Sequence, residues 1–340
     1  MPTMRAVQVP QAGGDLELVE REVPTPDRGE VRVRVQACGV CHSDVFAKEG
    51  VLPTTPFPIV PGHEIVGVVD EVGPDVLGNW STGDRVGVGW FGGACHHCDP
   101  CRRGDFITCE NGRIPGVTFD GGYAEAVVVP ADALARVPDE LSPEEAAPLM
   151  CAGVTTYHAL RSSPARAGDR VAVQGVGGLG HLGIQFAARM GFEVVAVSRG
   201  REKEDLARKL GAHAYVDSEA GDPGQALAEM GGVTVALTTA TNGEASSALV
   251  PGLDRRGQLL VVGAAETPLQ IEAMSLIGPA AGITGHPSGT SMDSEDTLRF
   301  ARLTDVRPMI ETMPLERAAE AYDRMLANDA RFRMVLTTGR

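Results

Sequence analysis

Two hydrophobic periodicities divide the 340-residue chain. Over roughly the first 150 residues, apolar and polar positions alternate in short runs. These are Val31-Arg-Val-Arg-Val35, Ile65-Val-Gly-Val-Val-Asp-Glu-Val72, Asp84-Arg-Val-Gly-Val88 and Ala124-Glu-Ala-Val-Val-Val129. Successive side chains of an extended chain point to opposite faces, so a period of two predicts strands with one buried side. Gly73-Pro74 and Asp120-Gly-Gly122 punctuate the runs as turns. With no helical spacing between them, the expectation is a mostly-β, antiparallel, barrel-like unit.

Ser142-Pro-Glu-Glu145 marks a change, with a serine N-cap, proline at the first helical position and a glutamate placed to reach back. From Asp169 to about Gly285, apolar runs alternate with helical spacing. Val171-Ala-Val173, Val194-Val-Ala-Val197, Ala214-Tyr-Val216, Val233-Thr-Val-Ala-Leu237 and Leu259-Leu-Val-Val262 carry no polar alternation, as expected of parallel strands covered on both faces. Leu179, Leu182, Phe186 and Met190 fall on one face of a helix. Such alternation predicts a doubly wound parallel sheet, and hence an α/β protein. Beyond Gly285, helices are expected over roughly 293–304 and 314–327, and Phe332–Thr337 is expected to return as a strand to the first unit. No internal repeat or low-complexity tract interrupts this plan.

Composition narrows the function classes. A hydrophobic content of 43% with 22% charged residues suits two globular domains, each with its own core. The net charge of −15 argues against nucleic acid or an anionic membrane as partner, since both require a basic surface. The N-terminus lacks a basic, apolar leader and no apolar run reaches spanning length, so a cytoplasmic location is expected. Seven cysteines in such a chain read as metal ligands more readily than as disulfides.

Four of them, Cys95, Cys98, Cys101 and Cys109, lie within 15 positions. Thiolates this close repel unless a cation holds them, and four ligands close a tetrahedral zinc site to substrate, so this zinc is structural. His96 and His97, between the first two, are expected to be solvated bystanders. A second set is more dispersed: Cys41, followed 22 residues later by His63-Glu64, with Asp44 nearby and Cys151 as the leading candidate for a third ligand. Taken singly, Cys38, Cys41 and Cys151 also read as small buried hydrophobes and His63 as a core histidine.

Gly175-Val-Gly177-Gly178-Leu179-Gly180 has the G-x-G-x-x-G spacing, follows a predicted strand and opens a predicted helix. Glycines there permit a tight turn and close backbone approach to a pyrophosphate, while the helix N-terminus supplies positive potential. A dinucleotide is the expected ligand.

Together these motifs resemble the zinc-dependent medium-chain alcohol dehydrogenases over essentially the whole chain. The resemblance is carried by Cys38-Gly-Val-Cys41-His42-Ser43-Asp44, Gly62-His63-Glu64, the four-cysteine loop, Cys151-Ala-Gly-Val-Thr155 and the glycine fingerprint, in that order. It implies a GroES-like mostly-β catalytic domain over residues 1–152 and 286–340, with a Rossmann doubly wound parallel-sheet domain over 153–285 and the active site in the cleft between them. It further implies a catalytic zinc on Cys41, His63 and Cys151, with Glu64 behind it as an occasional ligand and Asp44 bonded to His63. With the structural site, that makes two zinc ions per chain. The implied reaction interconverts an alcohol and its aldehyde or ketone by hydride exchange with a nicotinamide.

Ser43 matches a hydroxyl that relays the alcohol proton toward the cofactor ribose. His42 and Arg333 match contacts to the pyrophosphate, and Thr155 a position beside the nicotinamide. Many relatives carry a histidine five residues after the first zinc cysteine, where this chain has Phe46, so the relay must end at ribose and water. Trp90 and Phe91 match substrate-pocket positions and, with Phe46, suggest an apolar pocket. At the end of the second Rossmann strand, Ser198-Arg199, with Lys203 nearby, stands where an acidic residue would select NAD. Arg199 offers charge-assisted bonds to a 2′-phosphate, so NADP(H) is favoured over NAD(H). Glu202 and Glu204 lie close enough in sequence to reach the ribose instead. The expected partners are a small alcohol or aldehyde and further copies of the chain, a homotetramer before a dimer. A polyol or other secondary-alcohol dehydrogenase, and a non-catalytic zinc-binding protein of the same fold, are the alternatives.

Overall fold

The computed structural model describes residues 2–339. Its strands up to the glycine loop are β1 (Thr3–Gln8), β2 (Glu17–Glu22), β3 (Glu30–Val40), β4 (Glu64–Val72), β5 (Arg85–Val88), β6 (Ala126–Pro130), β7 (Ala135–Arg136) and β8 (Arg170–Gln174). They continue with β9 (Glu193–Ser198), β10 (Ala214–Asp217), β11 (Val233–Thr238), β12 (Leu253–Val261), β13 (Gly282–Gly285), β14 (Ile310–Pro314) and β15 (Arg333–Thr337). The chain divides into two compact units, Met1–Val154 with Gly289–Arg340, and Thr155–Ser288.

In the first unit the eleven-residue β3 is the hub. It pairs antiparallel with β4 along its length, and also with β6 and β15. Val31, Val33 and Val35 are fully buried while the residues between them are half-exposed, as the period of two requires. Two register shifts against β4 bend the strand before it reaches Val40. Ile65, Val69, Tyr123, Val127, Leu134, Leu315 and Met334 share one buried cluster with these valines. Each large apolar side chain in it contributes about 1.5–3 kcal/mol by leaving water. The sheet is mixed rather than wholly antiparallel, because β14 lies parallel to β15. Ser142 caps its helix as expected, accepting from the Glu145 amide at 3.2 Å.

The second unit is a six-stranded parallel sheet in the order β10-β9-β8-β11-β12-β13. Every residue from Val171 to Val173, and from Val194 to Val197, is fully buried, which explains why those runs lack alternation. The helix Gly180–Arg189 buries Leu182, Ile184 and Phe186. Strand order reverses between β8 and β11, and ligands of such sheets bind at the carboxyl ends of the strands there. Among the described residues, no helix is long and apolar enough to cross a membrane.

The elements that pattern reading missed are edges. β2, Glu-Leu-Val-Glu-Arg-Glu, has no buried residue, and β13 is mostly exposed. The stretch expected as one helix over 314–327 instead ends β14 at Pro314, makes a 3₁₀ turn at Leu315–Arg317, and is helical over Ala318–Leu326.

Candidate functional site

Backbone register assembles the first cluster. β3 and β4 end their pairing at Gly39 opposite Glu64, so the residues just beyond the pair, Cys41 on one strand and His63 on the other, become neighbours. Cys151 joins them at the end of the 3₁₀ turn Ala147–Met150. Ligand atoms of Cys41, His63, Glu64 and Cys151 all lie within 4.8 Å of one another, and all four residues are buried. The sulfurs of Cys41 and Cys151 stand 3.9 Å apart. That is far beyond a disulfide at about 2.05 Å, but two thiolates on one tetrahedral zinc, each at about 2.3 Å, stand about 3.8 Å apart. Both ring nitrogens of His63 and both oxygens of Glu64 are buried without a hydrogen bond of ordinary geometry. Buried polar atoms are rarely left so. The donor set fits zinc.

Gly39 makes room for the fourth member. A Cβ there would sit 1.9 Å from Oε2 of Glu64, so the carboxylate packs on bare backbone. Arg333, on β15 and itself buried, holds Nη2 3.3 Å from Oε1 of Glu64 and donates from Nη1 to the Val40 carbonyl at 3.3 Å. The residue expected at a pyrophosphate thus lies against Glu64.

Within the polypeptide the charges are tightly linked. The Cys151 side chain, accepting or donating at 3.9 Å, holds the Cys41 thiol well below its usual range against the opposing effect of burial, with Arg333 assisting. Burial, the largest influence, would lower His63, but the Asp44 carboxylate and Cys41 together outweigh it and raise the imidazole well above its usual range. Burial pushes Glu64 up to about 8 despite Arg333. A divalent cation shifts such groups towards the ligand forms, thiolate and neutral imidazole.

Asp44 lies behind the histidine. Its Oδ1 is 3.0 Å from Nδ1 of His63. Its Oδ2 accepts from the Cys41 amide at 2.9 Å and from the Tyr123 hydroxyl at 2.8 Å. Sequence reading overlooked Tyr123. The Gly121-Gly122 turn before it was visible, but its contact spans 79 positions. Of the flanking residues, His42 is exposed and Ser43 half-buried. Trp90 stands edge-on to the His63 ring with centroids 5.0 Å apart, and Phe46 packs edge-on to Trp90 at 6.0 Å. Both rings also pack against the core cluster of Val9, Ala47, Ile59 and Val117, while Phe91 is buried.

The second cluster is local. Cys95, Cys98, Cys101 and Cys109 bring their sulfurs within 4.8 Å of one another, with Cys98 and Cys109 3.9 Å apart, again the spacing of ligands on zinc. The Asn111 amide donates to Cys95 at 3.5 Å, and the Cys95 backbone amide to Cys109 at 3.3 Å. Backbone N–H groups, that of His97 foremost, pull the Cys95 thiol down to about 5. His96 is exposed but not idle. Its ring pairs with Asp132 at 2.9 Å, and Asp132 also accepts from the Ala94 amide at 3.1 Å, tying the loop to the body of the unit.

In the second unit, Gly175 closes the turn after β8 with φ +92°, and a Cβ on Gly180 would lie 1.7 Å from the Gly175 carbonyl oxygen. Neither position admits a side chain. By contrast, a Cβ on Gly177 would meet nothing within 4 Å. That open backbone, with Gly178 and Leu179 leading into the helix at Gly180, is a cradle of the kind a pyrophosphate fills. Ser198 ends β9 half-buried, Arg199 is exposed, and Lys203 immediately precedes the helix Glu204–Lys209. Tyr215 donates to the Gly200 carbonyl at 2.6 Å and Asp217 accepts from the Gly200 amide at 2.8 Å, fixing the turn between them. Glu204 is engaged by Arg208 at 2.9 Å. Thr155 is buried in the helix Ala152–Arg161.

Comparison with known proteins agrees with this arrangement. Residues 27–139 match the alcohol dehydrogenase GroES-like domain, and residues 178–302 match the zinc-binding dehydrogenase family. Alcohol dehydrogenase notN of Aspergillus sp. (strain MF297-2) is 42% identical over 327 residues, 96% of either chain. An alcohol dehydrogenase of Geobacillus stearothermophilus is 42% identical over 98% of this chain and 99% of its own. Among solved structures, a cinnamyl alcohol dehydrogenase of Sorghum bicolor superposes with a TM-score of 0.89 at 32% identity, covering 99% of this chain and 98% of that one.

Proposed function

This chain belongs to the zinc-dependent medium-chain alcohol dehydrogenase family, and from that premise we propose which residues carry its alcohol oxidoreductase chemistry and which cofactor it prefers. Cys41, His63 and Cys151 hold the zinc of the reaction, and Cys95, Cys98, Cys101 and Cys109 hold a structural zinc, giving two per chain. The observation that carries the assignment is the buried set of two thiols, an orphaned imidazole nitrogen and an orphaned carboxylate within 4.8 Å. When bound, zinc polarises the substrate oxygen and the nicotinamide accepts or gives the hydride.

The protein's part is placement and charge. Asp44 keeps the proton of His63 on Nδ1, leaving Nε2 as ligand. Arg333 offsets the negative charge that Glu64 adds beside two thiolates. Trp90, edge-on to His63, walls the site with an apolar surface and selects a carbon-rich alcohol. Ser43 Oγ accepts the alcohol proton. Phe46 has no atom to carry that proton on, so it passes to water rather than to a side chain at position 46. Gly175, Gly177, Gly178, Leu179 and Gly180 receive the dinucleotide, with His42, Thr155 and Lys203 contributing contacts.

NADP(H) is the preferred cofactor. Support comes from the end of β9, where the strand itself finishes in Ser198 and exposed Arg199 rather than an acidic residue, while the nearby Asp217 is engaged by the Gly200 amide and Glu204 by Arg208. The enzyme works in both directions, including aldehyde reduction, as a cytoplasmic homotetramer.

Absorbance at 340 nm with primary, secondary and aromatic alcohols, and with aldehydes, tests this reading in wild type and Ser198→Asp with both cofactors. Wild type is expected to favour NADP(H) in kcat/KM, and the added carboxylate to reverse that by repelling the 2′-phosphate. A wild-type preference for NAD(H) of about tenfold, about 1.4 kcal/mol, sinks the cofactor assignment. Dinucleotide binding without turnover of any alcohol or aldehyde returns the non-catalytic alternative.

A further inference from the structure

We propose that Tyr123 is a positioning residue for the metal-binding imidazole, acting through Asp44; the inference rests on the reading of Cys41, His63 and Cys151 as a metal site. Asp44 is 1% exposed. Oδ2 accepts two hydrogen bonds, from the Cys41 amide at 2.9 Å and the Tyr123 hydroxyl at 2.8 Å. Oδ1 is left 3.0 Å from Nδ1 of His63. A carboxylate held by one donor swivels about its terminal torsion, which is broad and soft. Two donors converging on Oδ2, one from its own turn and one from 79 positions away, fix its plane, so that Oδ1 faces the imidazole. The proton of His63 then stays on Nδ1, and the ring angle that delivers Nε2 to a cation is fixed with it.

The phenol ring is placed independently of its hydroxyl. The Tyr123 amide donates to the Pro61 carbonyl at 3.0 Å, and its own carbonyl accepts from the Val7 amide at 2.8 Å. The ring fills the space left by Gly62, where a Cβ would come within 2.5 Å of Cδ1. Pro61 and Gly62 are the two residues before His63. Tyr123 therefore supports the turn that carries the ligand through its ring, and aims the ligand through its hydroxyl. The change Tyr123→Phe removes only the second role.

The test uses the cobalt-loaded holoprotein as wild type, Tyr123→Phe, Asp44→Ala, the double variant and Cys41→Ala. Thiolate–cobalt absorption reports each centre, release to a chelator is followed by its decay, and Cys41→Ala identifies the class belonging to the first centre. In Tyr123→Phe, release from that class is expected to be about tenfold faster, the lower end of what an outer-shell partner contributes. Its visible bands should change shape, while the four-cysteine class keeps its rate, which also shows that the variant is folded. On the Asp44→Ala background, adding Tyr123→Phe should alter release by less than about twofold, because the carboxylate through which it acts is gone. Unchanged release and bands in Tyr123→Phe, equal acceleration of both classes, or effects that multiply in the double variant would each overturn the proposal. A wild type with a single cobalt class removes the metal-site reading, and the role of Tyr123 with it, so the two failures are distinguishable.

Discussion

Ser43 sits half-buried in the 3₁₀ turn His42–Asp44, two residues beyond Cys41. The same turn directs Asp44 inward, buried, and leaves His42 exposed. One short element thus sorts three neighbours into solvent-facing, intermediate and buried positions. Phenylalanine at position 46 offers no group to take the proton onward from Ser43. Ser43→Ala is therefore expected to lower kcat by about 10²-fold or more, the scale of a positioned proton transfer. Phe46→His should speed alcohol oxidation below about pH 8, where an imidazole acceptor helps most. Steady-state rates across pH decide the matter, and an unchanged profile in Ser43→Ala removes it from the mechanism.

At the scale of elements, the two clusters are built differently and should fail differently. The four-cysteine loop is closed within residues 95–109 and anchored through Asp132, whose carboxylate takes the Ala94 amide and the His96 ring. Apart from those cysteines the loop has little core of its own, and Phe106 is half-buried. A metal there substitutes for one. Cys98→Ala should cost at least about 3 kcal/mol and lower Tm by roughly 6–12 °C while sparing turnover in the surviving fold. Cys41→Ala, flanked by the paired strands β3 and β4, should abolish turnover yet leave a folded protein. Metal analysis and calorimetry on both variants test this. About one zinc per chain in wild type, indifferent to changes in the 95–109 loop, contradicts it.

For the whole molecule, the proposed sites give each of the two units its own ligand. Both metal clusters lie in Met1–Val154 with Gly289–Arg340, and the glycine loop lies in Thr155–Ser288. Ligand binding to a folded unit stabilises that unit by mass action, about 2.7 kcal/mol at a hundred times Kd. Hydrogen-exchange mass spectrometry should therefore show chelation deprotecting peptides around residues 38–64 and 93–111, and NADPH protecting 171–182. Chelation that loosens the glycine loop as much as the cysteine loop contradicts that assignment.

Much of this was legible in the sequence because the causes are local. The alternation of Val31 to Val35, the continuous apolar runs at 171–173 and 194–197, the cap at Ser142, and the spacing of Cys95 to Cys109 each act within a few residues, where side-chain period and chain reach decide the outcome. The glycine at 180 was legible for the same reason, since its conflict is with Gly175 five residues away. Edge strands such as β2 and β13 were not, because exposed strands bury too little to leave an apolar period. Local pattern was equally silent about what long-range register decided. That register carried Glu64 onto Gly39, set Arg333 beside Glu64, and brought Tyr123 to Asp44 across 79 positions. A side chain's type states what it can bond. Only the folded backbone, by setting which strands pair and where they stop, determines which partner it meets.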